Sequence, residues 1–376
     1  MNILIAPNAF KNSLDAEEVA LAIQEGLQQS GLQTTCTCFP IADGGDGTGA
    51  LLVKRLAGTR ITTAVHDALG RPLRASFGCI DDGHTAVIEM ADASGIRLLK
   101  KEELNPLIAT SFGTGEQVKA ALDKNVRKII VCMGGSATVD GGTGILNAMG
   151  IRFLDGNHQE LKRLPEDLVH LARIDVSGLD KRILECEVTV LCDVDNPLLG
   201  DAGAAAVFGP QKGAGPAEVK KLEQALTRLA AVTLQTTGID MTTLKHGGTA
   251  GGAAAGLHAF LRASLVQGID YFLDRTGFDK ALAASDMLIT GEGSIDEQTL
   301  QGKGPYGVAA RAKQRSIPVV ALAGKVPLQA NEQLNNYFDV LQAIGNEPVD
   351  MATAYAHTRD NLVRVSRQIG QLLSRF

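Results

Sequence analysis

Four loops in this sequence gather the residue types that phosphate and carboxylate chemistry needs. The densest spans Asp286 to Pro305, where the apolar run Met287–Thr290 leads into Glu292, Asp296, Thr299 and Lys303. Acid, hydroxyl and ammonium groups ahead of a helix start form a kit for phosphoryl transfer. Lys303 is followed by Gly304 and no Walker pattern exists, so a P-loop is excluded, as is the protein-kinase signature set. A second loop, Gly134–Gly142, follows the strand-like run ending in Val131-Cys132-Met133. Its Gly134, Gly135, Ser136, Ala137, Thr138 and Asp140 suit an anion cradle of amides and hydroxyls; a purely structural glycine turn is the alternative. It is no nucleophile elbow, because Thr138 stands where that turn needs glycine.

The third loop is Ala42-Asp43-Gly44-Gly45-Asp46-Gly47-Thr48. Gly45, Gly47 and Ala50 match the dinucleotide spacing, but Asp43 and Asp46 would then crowd a pyrophosphate with like charge. Such carboxylates make better sense as Mg²⁺ ligands or as a base for a hydroxyl, or else as turn caps. The fourth, Cys192–Pro197, carries Asp193 and Asp195, which share a face of an extended segment as paired metal ligands do. The same residues also suit the start of an Asn-Pro turn. Lys11 follows the first strand and is placed to reach the same crevice; otherwise it is a solvated surface charge. The run Gly247–Gly256 beside His246 reads as a ligand loop or as close helix packing. The seven histidines show no zinc spacing.

The elements that must position these loops alternate. Asn2–Ala6 and Gln33–Phe39 read as strands around a helix opened by Asp15 and Glu18, a capping-box spacing. This β-α-β start predicts a doubly wound parallel sheet with ligand loops at the carboxyl ends of its strands. After Gly58 the pattern changes to hairpins, turned at Asp67–Gly70 and Asp81–Gly83. Further strands are expected at 128–133 and 187–192, and a long helix over 217–235. From Ser285 the α/β alternation returns, and a last helix is expected from Met351 to Leu373. The expected organisation is a discontinuous Rossmann- or flavodoxin-like domain, residues 1–60 and 285–376, with a mixed-sheet α/β domain, 61–284, inserted.

Composition bounds the function. The 376 residues exceed what one core usually holds. A net charge of −6 argues against nucleic-acid or anionic-membrane partners. With 45% apolar residues the chain is not disordered, and its apolar runs are strand-sized, so no transmembrane segment is expected. The N-terminus lacks the features of a signal peptide. Six cysteines without a C-x-x-C pair read as reduced thiols, and the expected location is the cytoplasm.

Together the loops resemble the type I family of bacterial glycerate kinases. The resemblance covers essentially the whole chain and is carried by Ala6–Leu14, Ala42–Thr48, Gly134–Gly142 and Thr290–Pro305. The chain departs from the family's usual residues at Asn8, Ala9, Asp46 and Val139. The resemblance implies ATP-dependent phosphorylation of D-glycerate, with 2-phosphoglycerate favoured over 3-phosphoglycerate, at a cleft between two domains. Against that chemistry, Asp43 or Asp195 is expected as base or metal ligand. Lys11 and Lys303 are expected on phosphate or substrate carboxylate. Asp46, Asp193, Glu292 and Asp296 are expected around Mg²⁺, and Thr299 and the glycine loop around bound oxygens. Arg71 is a further expectation for the glycerate carboxylate. A two-domain sensor of small acids or nucleotides is the competing class, and a phosphatase lacks its nucleophile because Pro7-Asn8 end the first strand. Oligomeric state is not readable.

Overall fold

The computed structural model describes residues 1–329 and 331–375. In chain order the strands are β1 (Asn2–Ile5), β2 (Thr35–Cys38), β3 (Thr59–His66), β4 (Pro72–Ile80), β5 (Thr85–Glu89), β6 (Lys128–Cys132), β7 (Arg152–Leu154), β8 (Arg173–Asp175), β9 (Glu187–Cys192), β10 (Ser264–Gln267), β11 (Met287–Ser294), β12 (Val319–Lys325) and β13 (Val340–Ala343). The chain divides into two compact units, residues 1–43 with those from Ile269 onward, and residues 44–268.

The first unit is built on a parallel sheet ordered β13-β12-β11-β1-β2. Ile3, Leu4 and Ile5 of β1 are fully buried. A strand covered on both faces reads as a continuous apolar run rather than an alternation, as this one does. The helix Ala16–Gln29 opens with the predicted capping box: Glu18 N donates to Asp15 Oδ1 at 2.8 Å and Asp15 N to Glu18 Oε2 at 2.9 Å. It packs on the helix Thr358–Leu373 so closely that a Cβ at Gly26 would lie 2.3 Å from Val363 O. The single terminal helix expected over 351–373 is two helices, Met351–Ala356 and Thr358–Leu373. The Thr358 hydroxyl donates to Ala354 O at 3.1 Å, and such side-chain competition bends or breaks helices.

The second unit carries a mixed sheet ordered β10-β9-β6-β5-β4-β3, plus the small pair β7-β8. β3, β4 and β5 pair antiparallel, turned at the two sites expected, while β5, β6, β9 and β10 run parallel. Phe77, Ile88, Val131, Val190 and Leu226 share one buried core. The α/β class with one parallel and one mixed sheet is therefore the one the pattern predicts.

Both divisions fall earlier in the chain than the expected 60/61 and 284/285. Glu89, ending β5, accepts hydrogen bonds from Gly47 N and from Ala50 N, the latter at 3.3 Å. That binds the helix Thr48–Arg55 to the second sheet. At the other division, Phe278 meets Phe39 edge-on at 5.3 Å, and Arg311 pairs with Asp274 and Asp279. The residues after Ile269 thereby join the first unit. No helix among the described residues is long and apolar enough to cross a membrane.

Candidate functional site

In the first unit, four chain segments deliver chemistry to the carboxyl ends of adjacent parallel strands. Asn8 and Lys11 follow β1, Asp43 follows β2, and Glu292 lies near the end of β11. The turn Glu297–Gln301 then brings Thr299 back, and Lys303 stands at the start of the helix Gly304–Gln314. Asp43 Oδ2 accepts from Asn8 Nδ2 at 2.8 Å and from Gly304 N at 3.1 Å, so the helix start and the asparagine together fix its orientation. Asn8 in turn accepts from Ala9 N at 2.8 Å. The departure at position 8 thus supplies a donor to Asp43.

Glu292 is buried, and Thr299 Oγ1 donates to its Oε1 at 2.9 Å. Burial pushes its carboxyl up to about 7, the Asp43 charge adding to the rise while Lys303, the Thr299 hydrogen bond and Lys11 oppose it. A carboxyl poised near neutrality beside two ammonium groups is suited to exchange a proton at working pH. Asp296, expected as a metal ligand, instead caps the turn: its Oδ1 accepts from Gln298 N at 3.0 Å.

In the second unit the glycine loop Gly134–Gly142 lies directly on the acidic loop. A Cβ at Gly134 would come within 2.3 Å of Asp46 N, and Gly134 N donates to Gly44 O at 3.1 Å. The glycines serve this close approach. Several amides expected to face a ligand are spent inside the fold: Ala137 N on Ser94 O at 2.8 Å and Gly141 N on Gly251 O at 2.9 Å. Asp140 is fully buried, and its carboxylate accepts from Ser111 N at 2.8 Å, Ser111 Oγ at 2.6 Å, Gly142 N at 3.0 Å and Gly144 N at 3.2 Å. These bonds make it a strut of the loop. The run Gly247–Gly256 resolves to packing, since a Cβ at Gly251 or Gly256 would strike Thr138 O at 2.2 Å or Gly141 O at 2.1 Å.

The remaining expected residues disperse. Arg71 Nε donates to Asp67 Oδ2 at 2.6 Å and its Nη1 to Glu103 Oε1 at 2.7 Å, so it closes its own turn. Asp195 Oδ1 lies 2.8 Å from His246 Nδ1, and Lys245 is 3.7 Å from its other oxygen. Asp46 pairs with Arg97 at 3.5 Å. No group of three or more His, Cys, Asp or Glu among the described residues is arranged to hold a metal ion. The six thiols form no disulfide.

The model of the glycerate kinase family matches residues 3–374. The chain belongs to the glycerate kinase family. It is 42% identical over 369 residues to the glycerate kinase of Bacillus subtilis, covering 98% of this chain and 97% of that protein. It is 39% identical over 378 residues to the glycerate 2-kinase of Escherichia coli K12, covering 100% and 98%. A crystal structure from Salmonella typhimurium LT2, assigned provisionally as glycerate kinase 2, superposes with a TM-score of 0.82 at 40% identity, covering 100% and 98%. The members of this family are phosphotransferases.

Sequence reasoning missed three residues of this glycerate kinase family member. Glu89 sits under the acidic loop, where burial, then Asp92 and Asp46, push it up to about 7 against the Gly47 and Ala50 amides. His246 was noted only as a neighbour of glycines. Lys212 lies far along the chain from the loop it serves. No motif marks any of them, because each acts through contacts that only the folded sheet creates.

Proposed function

We propose that this chain transfers the γ-phosphoryl group of ATP to the 2-hydroxyl of D-glycerate, giving 2-phosphoglycerate. The observation that carries the reading is the Glu292 cluster: a buried carboxyl near neutrality, hydrogen-bonded by Thr299, with Lys303, Lys11 and an oriented Asp43 acting on it. The choice of hydroxyl leans on the name of the Escherichia coli relative. The absence of disulfides among the described residues suits a reducing cytoplasm.

Glu292 takes the hydroxyl proton as the oxygen attacks, and Lys303 and Lys11 stabilise charge on the moving phosphoryl group. Asp43, fixed by Asn8 and the Gly304 amide, orients the acceptor. In this reading Glu292 replaces Asp43 and Asp195 as base, since Asp195 is occupied by His246 and Lys245. Mg²⁺, if bound, would be held through one or two protein carboxylates and would supply positive charge to offset that of the phosphates. Of the four expected ligands, Asp193 is half-buried on the segment after β9, Asp46 pairs with Arg97, Asp296 caps a turn, and Glu292 is buried.

Incubation with ATP, Mg²⁺ and D-glycerate, followed by phosphorus NMR, tests the reading. The expected product is 2-phosphoglycerate. Absence of glycerate-dependent ADP release would sink the activity, 3-phosphoglycerate would sink the hydroxyl assignment, and full turnover after exhaustive chelation would sink the metal.

A further inference from the structure

Outside that mechanism lies a buried cation, Lys212, 3% exposed in the short turn Pro210–Lys212. Its Nζ donates to Ser136 Oγ at 2.8 Å and to Thr138 O at 2.7 Å, both in the glycine loop. No carboxylate among the described residues forms an ion pair with it. Asp140 and Asp193 are the charged groups that act on it, from longer range, and Asp140 is already saturated by the Ser111, Gly142 and Gly144 donors. Burial pushes the ammonium down to about 8 against the pull of both carboxylates.

A buried ammonium without a partner carboxylate is costly, and an apolar side chain of similar length would fill the space without that cost. The charge is therefore what this position contributes. One hydroxyl adjoins it, that of Ser136, and a second belongs to Thr138, whose carbonyl it holds. Ser136 Oγ accepts from the ammonium, which turns its own proton away from Lys212. Thr138 Oγ1 is buried with no hydrogen-bond partner among the described residues, a deficit that an anionic oxygen would relieve.

We propose that Lys212 is the positioning residue of the glycine loop, holding Ser136 and Thr138 as a seat for an anionic oxygen group and lending that seat its positive charge. The shared chemistry is a carboxylate or phosphate oxygen. Only the choice between glycerate and ATP as its natural source rests on the phosphotransfer reading.

Calorimetric titration of the intact protein with inorganic phosphate, D-glycerate and ATP, each alone, tests the seat. In Lys212→Met, which preserves length and packing, affinity for at least one probe should fall by about tenfold or more. Ser136→Ala should weaken the same probe by about threefold, and that loss should vanish in the Lys212→Met background, since the two act through one contact. Wild-type affinity for that probe should decline as pH rises past 8, and the methionine variant should show no such decline. The responding arm names the source: glycerate for a carboxylate seat, ATP or phosphate for a phosphate seat. A folded Lys212→Met that binds all three probes within twofold of wild type overturns the proposal. If that variant does not fold, Ser136→Ala and the wild-type pH series decide, and unchanged binding in both overturns it equally. Lys212-dependent phosphate binding in a protein with no glycerate-dependent turnover would keep the seat and discard the kinase reading.

Discussion

Lys303 stands where the helix start of Gly304–Gln314 already favours an anion, and it opposes the rise in the Glu292 pKa. Lys303→Ala should therefore do two separable things. The value of kcat/KM should drop by on the order of 10²-fold, roughly 2.7 kcal/mol of transition-state stabilisation. The acid limb of the pH–rate profile, set near 7 by Glu292 in the wild type, should move to higher pH, because an opposing positive charge is gone. A steady-state profile from pH 5.5 to 9 reads both, and an unmoved limb would separate Lys303 from Glu292. Glu292→Gln should abolish the limb with little change in ATP affinity. At this scale the sequence was informative wherever partners lie close together in the chain. Glu292, Thr299 and Lys303 span a dozen residues, so their types alone suggested phosphoryl transfer. Lys212 and Glu89 were silent because a buried lysine and an exposed one are written with the same letter. Asp296 was ambiguous for a related reason: a carboxylate that caps a turn looks, in sequence, like one awaiting a metal.

Between residues and the whole molecule stand the loops that elements hold in place. Glu89 joins the end of β5 to the first turn of the helix Thr48–Arg55 through two backbone amides. Its folded pKa, about 7, lies above its ordinary value of 4.5. A raised carboxyl means that the folded state binds the proton more tightly than the unfolded state. Stability from this group is full below pH 4.5 and is lost as pH rises to about 7, at up to about 1.4 kcal/mol per pH unit. Urea unfolding between pH 5 and 8 should show that decline, and Glu89→Gln should flatten it. A wild-type curve that rises over this range would refute the assignment. Elements themselves were legible where periodicity is strict: the buried run of β1, the capping box at Asp15 and the two hairpin turns. Their boundaries and the short helices between glycines were not, because those depend on which sheet a segment joins rather than on its own pattern.

At the scale of the molecule, the two units differ in how the chain supplies them. Residues 44–268 are continuous and own a large buried core that runs from Phe77 to Ala263. Expressed alone, this segment should give a cooperative thermal transition and dispersed amide resonances; a molten product would show that its core is not self-sufficient. The other unit, by contrast, is assembled from both ends of the sequence. Its α/β class was readable from the alternation at each end, but the divisions were not, since Glu89 and Phe278 commit their neighbouring segments through contacts distant in sequence.

Strand β1 lies between β2 and β11, paired residue for residue with Met287, Leu288 and Ile289. On the ribosome it is made long before β11 and is completed only when β11 arrives. At roughly 5–20 residues per second, Ile3, Leu4 and Ile5 emerge many seconds before the chain that covers their other edge exists. Residues 44–268 can settle in that interval, while β1 waits as an apolar strand with an open hydrogen-bonding edge. This geometry makes the newborn chain, rather than the finished enzyme, the species most exposed to aggregation, and it sets holding β1 in reserve as the task of any chaperone that attends synthesis.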